Sequence, residues 1–293
     1  MNKVDLFVIA APNFDSPIIR DFIHKYHNRF NKVFYIFSYS QVFNEKWRPY
    51  TTFVENDLKD KCEVIYCRMS GALDTDWRDE CVQEVLKRST GDYIFSMEPD
   101  FIGDWDKIVD LIINKNYSLF SMLDANLSGL RLWPCFWGCK KSLLSQIKYP
   151  KFGAPVDVRV KELFGIDYNK KLRFNKDGLQ HVDSKDKVKF YKENKIITEE
   201  VPVPHFYDHF DLVSAQLMDI IQDDGEQLLL LNRMDDVWYY HIAGITHDFH
   251  TMYEHNRIAR DTMAYRVFYD YCMKTNVNMF PDWLEVSSRI INS

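Results

Sequence analysis

The chain has 293 residues, 46% of them hydrophobic and 15% aromatic, enough for one large α/β domain or two closely packed halves with a sizeable core. No apolar run approaches the roughly 18 residues of a membrane span, and Asp5 interrupts the apolar stretch that a signal peptide would need, so a cytoplasmic protein is expected. The net charge of −6 is polarised: between Lys140 and Lys195, 15 Lys and Arg stand against 7 Asp and Glu, a local balance of +8 that leaves −14 elsewhere. Such a segment either guides a polyanion such as nucleic acid or is a solvated lysine-rich loop.

Val4 to Ala10 reads as a first strand, closed by the turn Ala11-Pro12-Asn13 and followed by a helix carrying Ile18, Ile19, Phe22, Ile23 and Tyr26. Lys32 to Ser38 and Cys62 to Arg68 are the second and third strands. Asp76 to Arg88 places Trp77, Cys81 and Val85 at helical spacing, with Val82 and Leu86 widening the stripe, and Gly91 stops the run. Tyr93 to Met97 is a fourth apolar strand that runs directly into Glu98-Pro99-Asp100. Asp104 is then expected to cap a helix whose Trp105, Ile108, Val109 and Ile112 face inward. Strands alternating with helices predict an α/β fold with a mostly parallel sheet covered by helices. Ligands of such sheets sit at the carboxyl ends of the strands, here near Ala11-Pro12-Asn13, Ser38 to Ser40, Arg68 to Asp74, and Glu98 to Asp100.

Beyond residue 117, Leu130 to Gly138 reads as an aromatic-rich strand followed by a short helix. Tyr149 to Lys195 has little periodicity and predicts long loops. Phe210 to Ile221 and Glu254 to Lys274 are candidate helices. The six cysteines form no Cys-x-x-Cys pair and mostly lie in apolar contexts, which favours free buried thiols over a zinc site built from Cys135 and Cys139.

The order helix, buried strand, acidic turn, helix resembles the centre of the GT-A type glycosyltransferases, which use nucleotide-diphosphate sugars and carry a D-x-D or related turn after a strand. Here the turn is the E-x-D variant Glu98-Pro99-Asp100, and Asp76-Trp77-Arg78 stands where that family often has Arg or Asn before its helix. The resemblance implies a GT-A (Rossmann-like) sheet: residues 1–130 form the nucleotide-sugar-binding half, and residues 131–293 an acceptor-binding half with C-terminal helices, all in one continuous domain. It also implies a divalent metal at the acidic turn, with Asp100 as ligand and Glu98 acting directly or through a water. One or two carboxylates suffice, because the donor phosphates fill other positions.

A second resemblance lies in Tyr240-His241-Ile242-Ala243-Gly244, similar to the strand and small-residue turn that carry a metal-binding His in many GT-A enzymes. It implies His241 as third ligand, with His247 the alternate, against the plain reading of a satisfied core histidine. Mixed carboxylate and imidazole ligation suits Mn2+ better than Mg2+. For the donor, UDP or another nucleoside diphosphate, Arg78 at a helix start is expected to pair with the diphosphate. Asp74 and Asp76 reach nucleoside hydroxyls, Arg68 meets the base or ribose, and each of these has surface charge as its plain reading. In an inverting relative an acidic base stands after the acceptor strand; Asp157 occupies a similar place, with Asp208 and Asp211 as substitutes. The cluster His205-Phe206-Tyr207-Asp208-His209 is expected to line the acceptor cleft or be structural rather than form a separate metal site.

The expected activity is therefore metal-dependent glycosyl transfer to an acceptor hydroxyl. That hydroxyl belongs either to a cell-surface or lipid-linked glycan, or to a hydroxymethylated base in DNA, as modified by enzymes of some bacteriophages. The competing classes are a nucleotidyltransferase, disfavoured because Ala10 to Pro17 lacks a Gly-rich phosphate loop, and a non-catalytic nucleotide-sugar-binding module.

Overall fold

The computed structural model describes residues 1–12, 16–40, 43–69, 77–122, 136–147, 228–231, 237–241 and 266–282, together with single positions 217, 220, 284, 285 and 288. The elements in chain order are β1 (Val4–Ala10), α1 (Pro17–Tyr26), β2 (Lys32–Ser40), α2 (Arg48–Asp57), β3 (Glu63–Met69), α3 (Trp77–Arg88), β4 (Tyr93–Met97), β5 (Phe101–Gly103), α4 (Trp105–Asn114), β6 (Leu119–Met122), β7 (Phe136–Lys140), α5 (Lys141–Leu144), β8 (Leu228–Leu231) and β9 (Tyr239–His241).

Seven strands form one sheet in the order β3-β2-β1-β4-β7-β6-β8. Strand β1 pairs in parallel with β2 and with β4, β2 with β3, and β6 with β8; β7 alone runs against its neighbours β4 and β6. This is the mostly parallel, helix-flanked sheet expected from the sequence. Its central strands are mostly apolar because helices cover both faces, with Asp5 in β1 and Ser96 in β4 the buried polar exceptions. On one face Val8, Phe37 and Phe95 pack with Phe22 of α1 and Ile108 and Ile112 of α4. On the other, Phe7, Phe34 and Ile94 pack with Cys81 and Val85 of α3 and Leu143 of α5. Neighbouring residues of one strand thus serve opposite cores, as the two-residue strand period requires.

One polar residue sits inside β1. Asp5 is fully buried, and its carboxylate accepts hydrogen bonds from the amides of Gly91 (2.7 Å) and Thr90 (2.8 Å), from Ser89 Oγ (2.6 Å) and from Asn31 Nδ2 (2.6 Å). Gly91 is needed for this approach, since a Cβ there would lie 2.6 Å from the Lys3 carbonyl oxygen and 3.0 Å from Asp5 Cγ. The network fastens the turn before β4 to β1 at the sheet's amino end. The opposite end is left to the strand termini that carry the acidic turn.

A third cluster joins the chain's end to its beginning: Phe268, Cys272, Met279 and Phe280 pack on Ile18 of α1 and on Tyr50 and Phe53 of α2. Residues 266–275 are helical. Arg20, only 1% exposed, pairs with Asp57 Oδ2 at 2.7 Å, lies over the Phe53 ring and donates to the Asn278 carbonyl. The Tyr271 hydroxyl donates to Asp21.

Two local expectations differ from the structure. Asp104 does occupy the N-cap position of α4, but its side chain makes no capping hydrogen bond and pairs instead with Lys107 at 3.2 Å. Between the acidic turn and α4 lies the short strand β5, which the sequence reading passed over. The Leu130 to Gly138 strand is observed as β7, with residues 130–135 outside the described residues. The loops expected between Tyr149 and Lys195 and the Phe210 to Ile221 helix, apart from Leu217 and Ile220, also lie outside them.

Candidate active site

The parallel register brings four strand ends to one rim. Ala10 of β1 lies opposite Phe37 of β2, and Tyr39 and Ser40 of β2 lie opposite Arg68 and Met69 of β3. Val8 lies opposite Met97, so Glu98-Pro99-Asp100 leaves β4 beside the end of β1. Ala11 is half-buried and Pro12 buried at that end, whereas Arg68 is exposed at the tip of β3. Because α3 follows β3 in a parallel crossover, its first turn, which carries Arg78, starts on the same side of the sheet. Only the backbone of Arg78 is described, and Asp74 and Asp76 lie outside the described residues.

The acidic turn is buried. Glu98 is 8% exposed and Asp100 is 0% exposed. Two carboxylates placed two residues apart and withdrawn from water repel one another, and each is stabilised by any cation brought to the turn. The proline ring fixes φ at Pro99, and the Pro99 carbonyl accepts a hydrogen bond from Ser16 Oγ. Ser16 is the N-cap of α1 and also accepts from the Ile19 amide at 3.3 Å, so one hydroxyl serves both helix and turn.

Directly after the turn, β5 forms an antiparallel ribbon with β9 from the far end of the chain. Phe101 lies opposite His241, Ile102 opposite Tyr240 and Gly103 opposite Tyr239, and the Asp104 amide donates to the Trp238 carbonyl at 2.8 Å. Gly103 permits the close approach, because a Cβ there would lie 2.6 Å from Ile108 Cδ1 and 3.3 Å from the Trp238 carbonyl oxygen. Phe101 anchors the ribbon from below, stacked on Phe136 with ring centroids 4.7 Å apart. The backbone of His241 is thereby carried to within one residue of register with Asp100, although 141 positions separate them in sequence.

Among the described residues no group of three or more His, Cys, Asp or Glu side chains could hold a metal ion. Glu98 and Asp100 supply the donor chemistry that a divalent cation shared with two phosphates requires, since such a cation takes few protein ligands. Asp157, Asp208, Asp211, His205, His209 and His247 lie outside the described residues, as does Cys135. The five described cysteines are free thiols. Burial pushes Cys62 up to about 12 and Cys139 further, so neither is a nucleophile near neutral pH. Cys67 is held below the ordinary thiol value by its hydrogen bond to Cys81, whose own thiol burial pushes far up.

An aromatic wall at the β2–β3 end of the rim was missed from sequence. Phe43 packs edge-on against Tyr39 (5.4 Å), Trp47 (5.6 Å) and Tyr66 (5.4 Å), with the Arg48 guanidinium 4.7 Å above its ring. The only trace in the sequence is aromatic residues at 39, 43 and 47, four apart, in a stretch with no helical stripe around them.

No family profile matches the chain, and a search of curated proteins returns no relative. Among solved structures, a mannosyltransferase from Pyrobaculum calidifontis in complex with GDP-Man and Mn2+ aligns at 12% identity and TM-score 0.35, over 53% of this chain and 48% of that one. This chain thus spans about half the length of the mannosyltransferase. Glucosyl-3-phosphoglycerate synthase from Mycobacterium tuberculosis, in complex with Mn2+, UDP and glucosyl-3-phosphoglycerate, aligns at 9% identity and TM-score 0.41, over 95% of this chain and 81% of that one. HddC from Yersinia pseudotuberculosis aligns at 10% identity and TM-score 0.35, over 54% and 84%. These are distant likenesses. Among the described residues, no helix is long and apolar enough to cross a membrane.

Proposed function

We propose that this protein is a metal-dependent glycosyltransferase that moves a sugar from a nucleotide-diphosphate sugar to an acceptor hydroxyl. The observation that carries the reading is the β5–β9 ribbon. It starts at a buried carboxylate pair on the carboxyl-end rim of a mostly parallel sheet and brings the His241 backbone beside it. The motif resemblance at Glu98 to Asp100 and at Tyr240 to Gly244 points the same way.

In this reading Asp100 and Glu98, joined by His241, hold the cation, and Mn2+ suits the mixed oxygen and nitrogen set. The cation supplies positive charge where the leaving diphosphate becomes more negative as the glycosidic bond breaks. Ala11 and Pro12 line the donor at the end of β1. Arg68 and Arg78 approach the nucleotide from β3 and from the start of α3, and Asp74 takes a nucleoside hydroxyl. For an inverting reaction Asp157 or Asp208 removes the acceptor proton during attack. Residues 1–130 then form the donor half and residues 131–293 the acceptor half. The acceptor is a glycan, or a hydroxymethylated base in DNA of the bacteriophage kind to which the basic segment from Lys140 to Lys195 would be drawn.

The test is incubation of the purified protein with UDP- and GDP-sugars, with Mn2+ or with EDTA, reading release of nucleoside diphosphate and sugar transfer. Metal-dependent release or transfer supports the reading. Binding without any turnover on glycan and hydroxymethylated-DNA acceptors returns the protein to the class of nucleotide-sugar-binding modules.

A further inference from the structure

Ser16 sits between the first helix and the acidic turn, and no sequence signal had tied it to the site. It is fully buried. A serine hydroxyl has one proton to donate and two lone pairs to accept with. Here the proton goes to the Pro99 carbonyl and a lone pair takes the Ile19 amide. Capping α1 accounts for the second contact alone; any good N-cap acceptor would make it. The first contact is made by a donor, and its target is the middle peptide of the Glu98-Pro99-Asp100 turn.

That target matters because proline removes other ways of fixing the turn. Pro99 has no N–H, so its carbonyl is its only backbone hydrogen-bonding group. The carbonyl belongs to the peptide plane that joins Pro99 to Asp100. Holding its oxygen sets the rotation of that plane, and with it the direction in which Asp100 leaves the turn. The support is itself rigid: α1 is pinned by the Arg20–Asp57 pair and by Arg20 and Asp21 contacts to Asn278 and Tyr271. We propose that Ser16 is a positioning residue, whose hydroxyl holds the Pro99–Asp100 peptide so that the Asp100 carboxylate is presented to the cation. The proposal rests on the glycosyltransferase reading only for the identity of what Asp100 binds.

Two variants separate the two contacts. Ser16→Gly keeps a tolerable N-cap, since Gly at this position costs only a few tenths of a kcal/mol, but it cannot donate to Pro99. Ser16→Ala loses both contacts, and Ser16→Thr restores the hydroxyl. The first readout is amide hydrogen exchange of the metal-free protein over residues 98–103, measured well below the melting temperature. Faster exchange is expected there in the Gly and Ala variants, and near wild-type exchange in the Thr variant. The second is the affinity for Mn2+ in the presence of UDP or GDP, expected to fall roughly threefold to tenfold in Gly and Ala, the scale of one lost hydrogen bond. Unchanged exchange over 98–103 in Ser16→Gly, or faster exchange with Mn2+ affinity equal to wild type, overturns the proposal. If wild type binds no Mn2+ while exchange still rises in Gly and Ala and recovers in Thr, the hold on the turn stands and the metal reading is what fails.

Discussion

Replacing Asp100 with Asn changes charge with little change in shape, and its effect should be small in the metal-free protein and large in the metal-loaded one. Asp100 is 0% exposed and Glu98 8%. Two residues separate their α-carbons by at most about 7 Å, so at an effective dielectric near 20 two like charges carried on this turn repel by an amount on the order of 1–2 kcal/mol. Removing one relieves that repulsion, so the metal-free variant should melt within a few degrees of the wild-type temperature. Loss of a ligand carboxylate should weaken Mn2+ binding by at least the hundredfold seen when supporting shells are disturbed. At a Mn2+ concentration of about 100 times the wild-type Kd, with UDP or GDP present, ligand linkage gives wild type about 2.7 kcal/mol of added stability. A hundredfold weaker variant gains about 0.4 kcal/mol at the same concentration. For a chain of this size those figures correspond to roughly 5 °C and under 1 °C. Differential scanning fluorimetry with and without MnCl2 reads both effects. An Asn variant that keeps the wild-type Mn2+ shift would refute Asp100 as a ligand, and one that melts far lower without metal would refute the repulsion argument.

His241→Ala should weaken Mn2+ affinity about tenfold to a hundredfold by titration calorimetry; lost thermal stability with unchanged metal affinity would make it a core histidine. At Asp57 burial alone would raise the carboxyl, but the hydrogen bond and charge of Arg20, aided by His24, outweigh it and hold the group below the ordinary carboxylate value. A depressed folded value means stability that is present above about pH 4 and lost as pH falls through the folded value. Urea midpoints from pH 7 to pH 3 should therefore fall more steeply for wild type than for Asp57→Asn, and parallel curves would remove Asp57 from the account. If Lys140 to Lys195 guides DNA, affinity for duplex carrying hydroxymethylated bases should fall with salt at a log–log slope of about −0.9 per phosphate contact. Salt-insensitive or absent DNA binding alongside transfer to a glycan would assign the acceptor to the glycan class.

The parts of the fold legible in sequence are those whose signal is local. Strands β1 and β4 are short, buried and largely apolar runs bounded by turn residues, and α4 has a clean inward stripe at Ile108, Val109 and Ile112. Helix α2 was not legible, because Thr51, Thr52 and Val54 are β-branched and poor helix formers; its form is set by packing of Val54 and Leu58 on the sheet. The three-residue β5 has too few positions to show a period, and its partner β9 lies far along the chain. At the candidate site, Glu98, Asp100 and His241 stand out in the sequence as residue types in motifs. Ser16 was not, since a serine before a proline at a helix start reads as a cap and nothing in its neighbourhood points to a carbonyl 83 residues away.

The carboxylate inside β1 bears on the order in which the molecule can be assembled as it is made. Asp5 emerges from the ribosome with the first strand, but Ser89, Thr90 and Gly91, which give three of its four hydrogen bonds, follow 84, 85 and 86 residues later. Burying the strand before then would sequester a polar carboxyl with most of its donors not yet synthesised, a cost of several kcal/mol. The apolar run Leu6 to Ala10 thus carries its own brake. It discourages pairing of β1 with anything, a neighbouring nascent chain included, until the turn that leads into β4 has arrived. The centre of the sheet can therefore close around Asp5 only once residues 89–91, with β4 behind them, have left the ribosome.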